Sequence, residues 1–139
     1  MRRVIELQIP PRSDHLALVR LVVQSSAAID RRVPESRIDD LRLAVSEACA
    51  NALDAQEDTG SAAPVRISIE LDEDLVAVTV TDHAGGFDVD GLDPIPSVTD
   101  PLRLRHERGL GIPLMRSLVD EVTFTRTADG TAVRLVVHT

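Results

Sequence analysis

Residues Leu41–Gln56 read LRLAVSEACANALDAQ, and their spacing governs how the rest of the chain is read. With Ile38 before them, Leu41, Val45, Ala48 and Ala52 recur at steps of three and four, which draws one apolar stripe along a helix. Glu47 and Asn51 lie four apart, so they stack one turn above the other on a single face. The helical neighbours of Asn51 are Ala44, Glu47, Ala48, Asp54 and Ala55, and the small alanines among them leave room for another group to sit there. A carboxylate beside a carboxamide oxygen is hard-oxygen chemistry, suited to a magnesium ion that keeps several waters. The competing reading, a solvated helix edge, stands for this helix alone; motifs further along the chain displace it.

Around this helix the composition sets limits. The chain has 139 residues, 43% hydrophobic and 27% charged, the profile of one globular domain with one core, here residues 1–139. Phe87 and Phe124 are the only aromatic residues, so the core is built from aliphatic side chains and stacking on single-stranded nucleic acid is disfavoured. The formal charge of −8 has the wrong sign for tracking a phosphate backbone. Direct nucleic-acid contact is therefore not expected; other proteins or a compact ligand are. Cys49 is the single cysteine. It excludes an internal disulfide and reads as a small buried apolar residue. His15, His83, His106 and His138 show no metal-ligand spacing and read as surface or loop residues. No stretch approaches the run of ~18 apolar residues a membrane span needs, and MRRVIELQIP is not a signal peptide. A cytoplasmic protein without membrane contact is expected.

Outward from the central helix, Arg3–Ile9 alternates as a strand and Pro10-Pro11 stops it. Ser13 is a candidate N-cap for a helix to about Ile29. Ser36-Arg37-Ile38-Asp39 resembles a capping box opening the central helix, which Thr59-Gly60-Ser61 ends after about Glu57. Val65–Leu71 and Leu75–Thr81 alternate as a hairpin around Asp72-Glu73-Asp74. From Asp82 to about Arg108 the pattern fails, and a loop of that length in a compact domain is functional as a rule. Gly109–Val119 regains helical spacing, with Pro113 in the first turn. Val122–Arg126 and Thr131–Val137 form strands about an Ala128-Asp129-Gly130 turn. The order β, α, α, β, β, loop, α, β, β predicts an α+β fold: a two-layer sandwich, its sheet largely antiparallel or mixed, with helices on one face.

Two glycine motifs flank the irregular loop. Asp82-His83-Ala84-Gly85-Gly86-Phe87-Asp88 follows a strand, and Arg108-Gly109-Leu110-Gly111-Ile112-Pro113 precedes a helix. Glycines let backbone N–H groups approach a ligand closely, and a helix start favours an anion. Together with Glu-x3-Asn on a helix, this order resembles the GHKL (Bergerat) ATP-binding fold. The segment Gly109–Val122, with its Gly-Leu-Gly, Leu114-Met115 and Asp120-Glu121-Val122, and the run Val45-Ser46-Glu47-Ala48 narrow the likeness. They resemble the anti-sigma-factor serine kinases of the SpoIIAB and RsbW type, over essentially the whole chain.

The resemblance implies a serine/threonine protein kinase using ATP and Mg2+. Such a protein sequesters a sigma factor, phosphorylates an anti-anti-sigma partner of the STAS type on Ser or Thr, and forms a homodimer. It implies that Asn51 holds the magnesium ion, that Glu47 is the general base, and that Asp82 receives the adenine amino group. Ala84, Gly86 and Gly109, Leu110 and Gly111 would lie along the nucleotide, with Thr131 near the adenine. Arg105 and Arg108, in a basic cluster with Arg103 and His106, would offset triphosphate charge. Two departures bear on phosphotransfer more than on nucleotide binding: Ala84 stands where the family usually has glycine, and Ala55 where it tends to have histidine. The alternative is a nucleotide-binding interaction module without kinase activity. The ATPase end of a histidine kinase is disfavoured, because no histidine-bearing helix pair precedes the domain in this sequence.

Overall fold

The computed structural model describes residues 2–29, 32–84 and 111–139. Its elements, in chain order, are β1 (Arg3–Ile9), a short 3-10 turn (Ser13–His15), α1 (Leu16–Ala27), α2 (Glu35–Thr59), β2 (Val65–Leu71), β3 (Leu75–Thr81), α3 (Gly111–Leu118), β4 (Glu121–Arg126) and β5 (Thr131–His138). The strands form one sheet in the order β1-β2-β3-β5-β4. All four pairings are antiparallel. The fold is the expected α+β class.

The period-two alternation explains which face is covered. Paired positions line up across the sheet: Leu7 opposite Ile67, Ile67 opposite Val80, Val80 opposite Val133, and Val133 opposite Phe124. A second row runs Ile5, Ile69, Val78, Leu135 and Val122. These rows meet the helices. α1 packs on β2, α2 on β3 and β5, and α3 against α2 and β4. The α2 stripe Ile38, Leu41, Val45, Ala48 and Ala52 is buried, as its spacing predicts, and Cys49 is fully buried with it.

Helix ends depart from the sequence reading at their starts and follow it at the α2 stop. Ser13 does not cap α1; it opens the 3-10 turn, and neither that turn nor α1 has a side-chain cap. The Ser36–Asp39 capping box does not form. The cap residue of α2 is Pro34, whose fixed φ of −63° and extended ψ of 150° turn the chain into the helix. Its carbonyl accepts from Arg37 N–H at 2.9 Å and Ile38 N–H at 3.1 Å, so the entry is made by backbone alone. At the other end Gly60 adopts φ +73°. Gly60 N–H donates to Glu57 at 3.2 Å and Ser61 N–H to Gln56 at 3.0 Å, the paired bonds of a Schellman stop.

Candidate nucleotide site

Glu47 and Asn51 project from the middle of α2 toward the first residue of α3. A Cβ placed on Gly111 would lie 3.4 Å from Glu47 Oε2, 3.4 Å from Asn51 Nδ2 and 3.6 Å from Asn51 Oδ1. Glycine therefore leaves a methyl-sized gap directly over both side chains. The carboxylate and the carboxamide share one face, as their spacing predicts, and a helix start lies across from them. Free N–H groups at such a start favour an anion. Asn51 Oδ1 is buried and accepts no hydrogen bond among the described residues. A buried amide oxygen left so is costly, and a hard cation or a ligand donor would satisfy it. The residues present thus fit a magnesium-bridged phosphate. Among the described residues there is no cluster of three His, Cys, Asp or Glu that could hold a metal by itself.

Asp82 lies at the far end of β3 and is 7% exposed. Its N–H donates to Thr131 O at 2.9 Å, and its Oδ1 accepts from Thr131 N–H at 3.2 Å and from Ala84 N–H at 3.1 Å. The carboxylate thus extends the β3–β5 ladder one residue past the strand. Such ionic acceptor bonds fix a carboxylate firmly. Thr131 and Ala84 both lie beside Asp82 and meet it through their backbones. Ala84 is buried.

Gly130 is a site residue that pattern reading missed. A Cβ there would fall within 3.0 Å of the Asp82 carbonyl carbon and closer still to its carbonyl oxygen and Oδ1. The sequence marks Gly130 only as a turn residue; its approach to Asp82, from the β4–β5 hairpin, is a tertiary fact. Gln56 is the other omission. It is 1% exposed, and its Oε1 accepts from His83 N–H at 2.8 Å. The available signal was that the α2 stripe, stepped four beyond Ala52, lands on it.

Gln56 also fixes the direction of the site. It lies five residues beyond Asn51 on α2, so the Asp82 end is displaced from Asn51 by about 7–8 Å along the helix axis. That suits a ligand laid lengthwise, with a polar ring at Asp82 and an anionic tail at Gly111.

Gly86, Arg105, Arg108, Gly109 and Leu110 lie outside the described residues. Among the histidines, His15 in the 3-10 turn and His83 in the loop after β3 are half-buried, the His83 ring Nδ1 meeting Pro64 O at 2.9 Å, and His106 lies outside the described residues. His138 is exposed and pairs with Glu121. Cys49 is inert in its setting: burial, partly offset by the positive charge of Arg20, pushes the thiol from its ordinary 9.0 up to about 12.

Comparison with known proteins agrees with this geometry. Residues 9–137 match the family model described as histidine kinase-like ATPase domain. Proteins named serine-protein kinase RsbW are similar over most of the chain. That of Halalkalibacterium halodurans is 35% identical, covering 85% of this chain and 73% of the relative. That of Bacillus velezensis is 37% identical with coverages of 85% and 75%, and that of Bacillus subtilis 36% with the same coverages. By the match over residues 9–137 and these identities, the chain belongs to the histidine kinase-like ATPase domain family and, within it, to the serine-protein kinases of the RsbW type.

Proposed function

We propose that this protein is an ATP-dependent anti-sigma factor that phosphorylates an anti-anti-sigma protein of the STAS type on serine or threonine. The observation that carries the reading is Gly111 set against Glu47 and the unsatisfied Oδ1 of Asn51. In this reading the adenine amino group donates to the Asp82 carboxylate, and the phosphates run along α2 toward the start of α3. Asn51 would hold Mg2+, which when bound supplies positive charge against the phosphate oxygens. Glu47 orients the incoming hydroxyl and takes its proton as the oxygen attacks the γ-phosphorus and the bond to ADP breaks. Arg105 and Arg108 would add countercharge, and Gly86, Gly109 and Leu110 would contact the nucleotide through their backbones.

Sigma-factor binding, homodimer formation and a cytoplasmic location belong to the same proposal. Leu18 and Leu21 on α1 and Leu43 on α2 stand 44%, 59% and 46% exposed, which supports a protein-binding helical face. No described helix is long and apolar enough to cross a membrane.

Incubation with labelled ATP, magnesium and the cognate STAS-type protein tests the reading. Glu47→Gln should keep nucleotide binding and lower transfer by about 100-fold or more. Transfer by the variant at the wild-type rate would remove Glu47 from the chemistry. Binding without transfer by the wild type would leave the interaction-module reading.

A further inference from the structure

Among the described residues the buried polar side chains are Ser26, Gln56 and Asp82. Gln56 and Asp82 are joined through one residue. Gln56 Oε1 accepts from His83 N–H at 2.8 Å, on the peptide that directly follows Asp82. Its Nε2 donates to Ala63 O at 2.7 Å. Ser61 Oγ donates to His83 O at 2.6 Å and accepts from Ala63 N–H at 3.3 Å. With the ring contact to Pro64 O, the N–H, the carbonyl and the imidazole of His83 are all held by the end of α2 and residues 61–64. His83 separates Asp82 from Ala84, whose N–H bonds the Asp82 carboxylate. Fixing His83 therefore fixes the backbone on both sides of it, Asp82 itself and the Ala84 N–H, one of the two backbone donors to that carboxylate; the other is Thr131 N–H.

Termination of α2 does not require this amide, because Gly60 and Ser61 already satisfy the last carbonyls through backbone bonds. An apolar side chain would fill the same core position but leave His83 N–H and Ala63 O without this partner. We propose that Gln56 is a positioning residue for purine recognition: through His83 it aims the Asp82 carboxylate, and Ser61 seconds it. The inference rests on Asp82 being the purine-recognising group.

The test is the affinity of the full-length protein for ATP relative to inosine triphosphate, which carries a 6-oxo group in place of the 6-amino group. Titrations are run below each variant's melting midpoint. The wild type should prefer ATP. Gln56→Leu should shrink the ATP-to-ITP ratio about tenfold, equal to about 1.4 kcal/mol, and Gln56→Glu, protonated in its buried site, should restore most of it. Ser61→Ala, half-buried and outside the apolar core, should lower the ratio about threefold, which keeps the inference testable should Gln56→Leu fail to fold. A purely structural Gln56 would lower the melting midpoint and weaken both nucleotides equally. An unchanged ratio in Gln56→Leu and Ser61→Ala, with Asp82→Asn abolishing the preference, overturns the inference. An unchanged ratio in Asp82→Asn overturns the reading of Asp82 itself, and the role of Gln56 falls with it.

Discussion

Gly111 is the residue on which the site turns, because the space it leaves is shared by Glu47 and Asn51. Gly111→Ala would place a methyl 3.4 Å from each, ordinary contact in the free protein, and alanine gives up less backbone freedom on folding than glycine. The variant should melt no lower than wild type yet lose at least about tenfold in phosphotransfer, since the methyl occupies the space proposed for phosphate. Equal activity would place the reacting group elsewhere. Cys49 offers an independent check on burial. Its thiol stays neutral up to about 12, so a thiol-specific reagent at pH 8 should label the folded protein far more slowly than the denatured one. A folded pKa raised above the unfolded value contributes stability that is complete below the ordinary 9.0 and is lost as pH rises toward about 12. Alkaline unfolding curves of wild type and Cys49→Ala should therefore converge above about pH 9.

At the scale of elements, α2 carries Glu47 and Asn51, and Arg37 in its first turns ties it to α3 and the sheet. Arg37 donates to Leu118 O at 3.0 Å, at the end of α3, and pairs with Asp120 at 3.0 Å and Asp40 at 3.2 Å. His138 N–H, bonded to Asp120 at 2.8 Å, and then the Arg37 guanidinium hold the Asp120 carboxyl below its ordinary 3.8. These side chains are 30% and 39% exposed, so solvent screens the pair, and Arg37→Ala should cost about 1 kcal/mol. A depressed carboxyl pKa contributes stability that is full above the unfolded value and fades as pH falls through the folded one. The difference in melting midpoint between wild type and Arg37→Ala should therefore be constant near neutrality and narrow below pH 3.8. A gap that persists in acid would assign the effect to the Leu118 contact.

The whole molecule couples ligand and stability. A nucleotide that binds only the folded chain stabilises it by RT ln(1 + [L]/Kd), about 2.7 kcal/mol at 100 times Kd. ATP with magnesium should raise the melting midpoint by several degrees, and Asn51→Ala should abolish the magnesium-dependent part. An identical rise in both proteins would leave Asn51 without a role in holding the ion.

The sequence by itself determined the element order and the shared face of Glu47 and Asn51, because periods of two and 3.6 follow from backbone geometry whatever surrounds them. It also put the α2 stop within Thr59-Gly60-Ser61, near the observed end at Thr59, where Gly60 takes the left-handed position that glycine adopts without strain. The α1 and α2 starts misled because Ser13 and Ser36 have capping chemistry but not the position; backbone N–H bonds to the Pro34 carbonyl made the α2 entry instead. Only the tertiary structure decided that Gly130 abuts Asp82, that Gln56 grips His83 and that Gly111 faces Asn51. Each of these joins segments distant in the chain, and no local propensity records which of them the packed sheet and helices bring within contact.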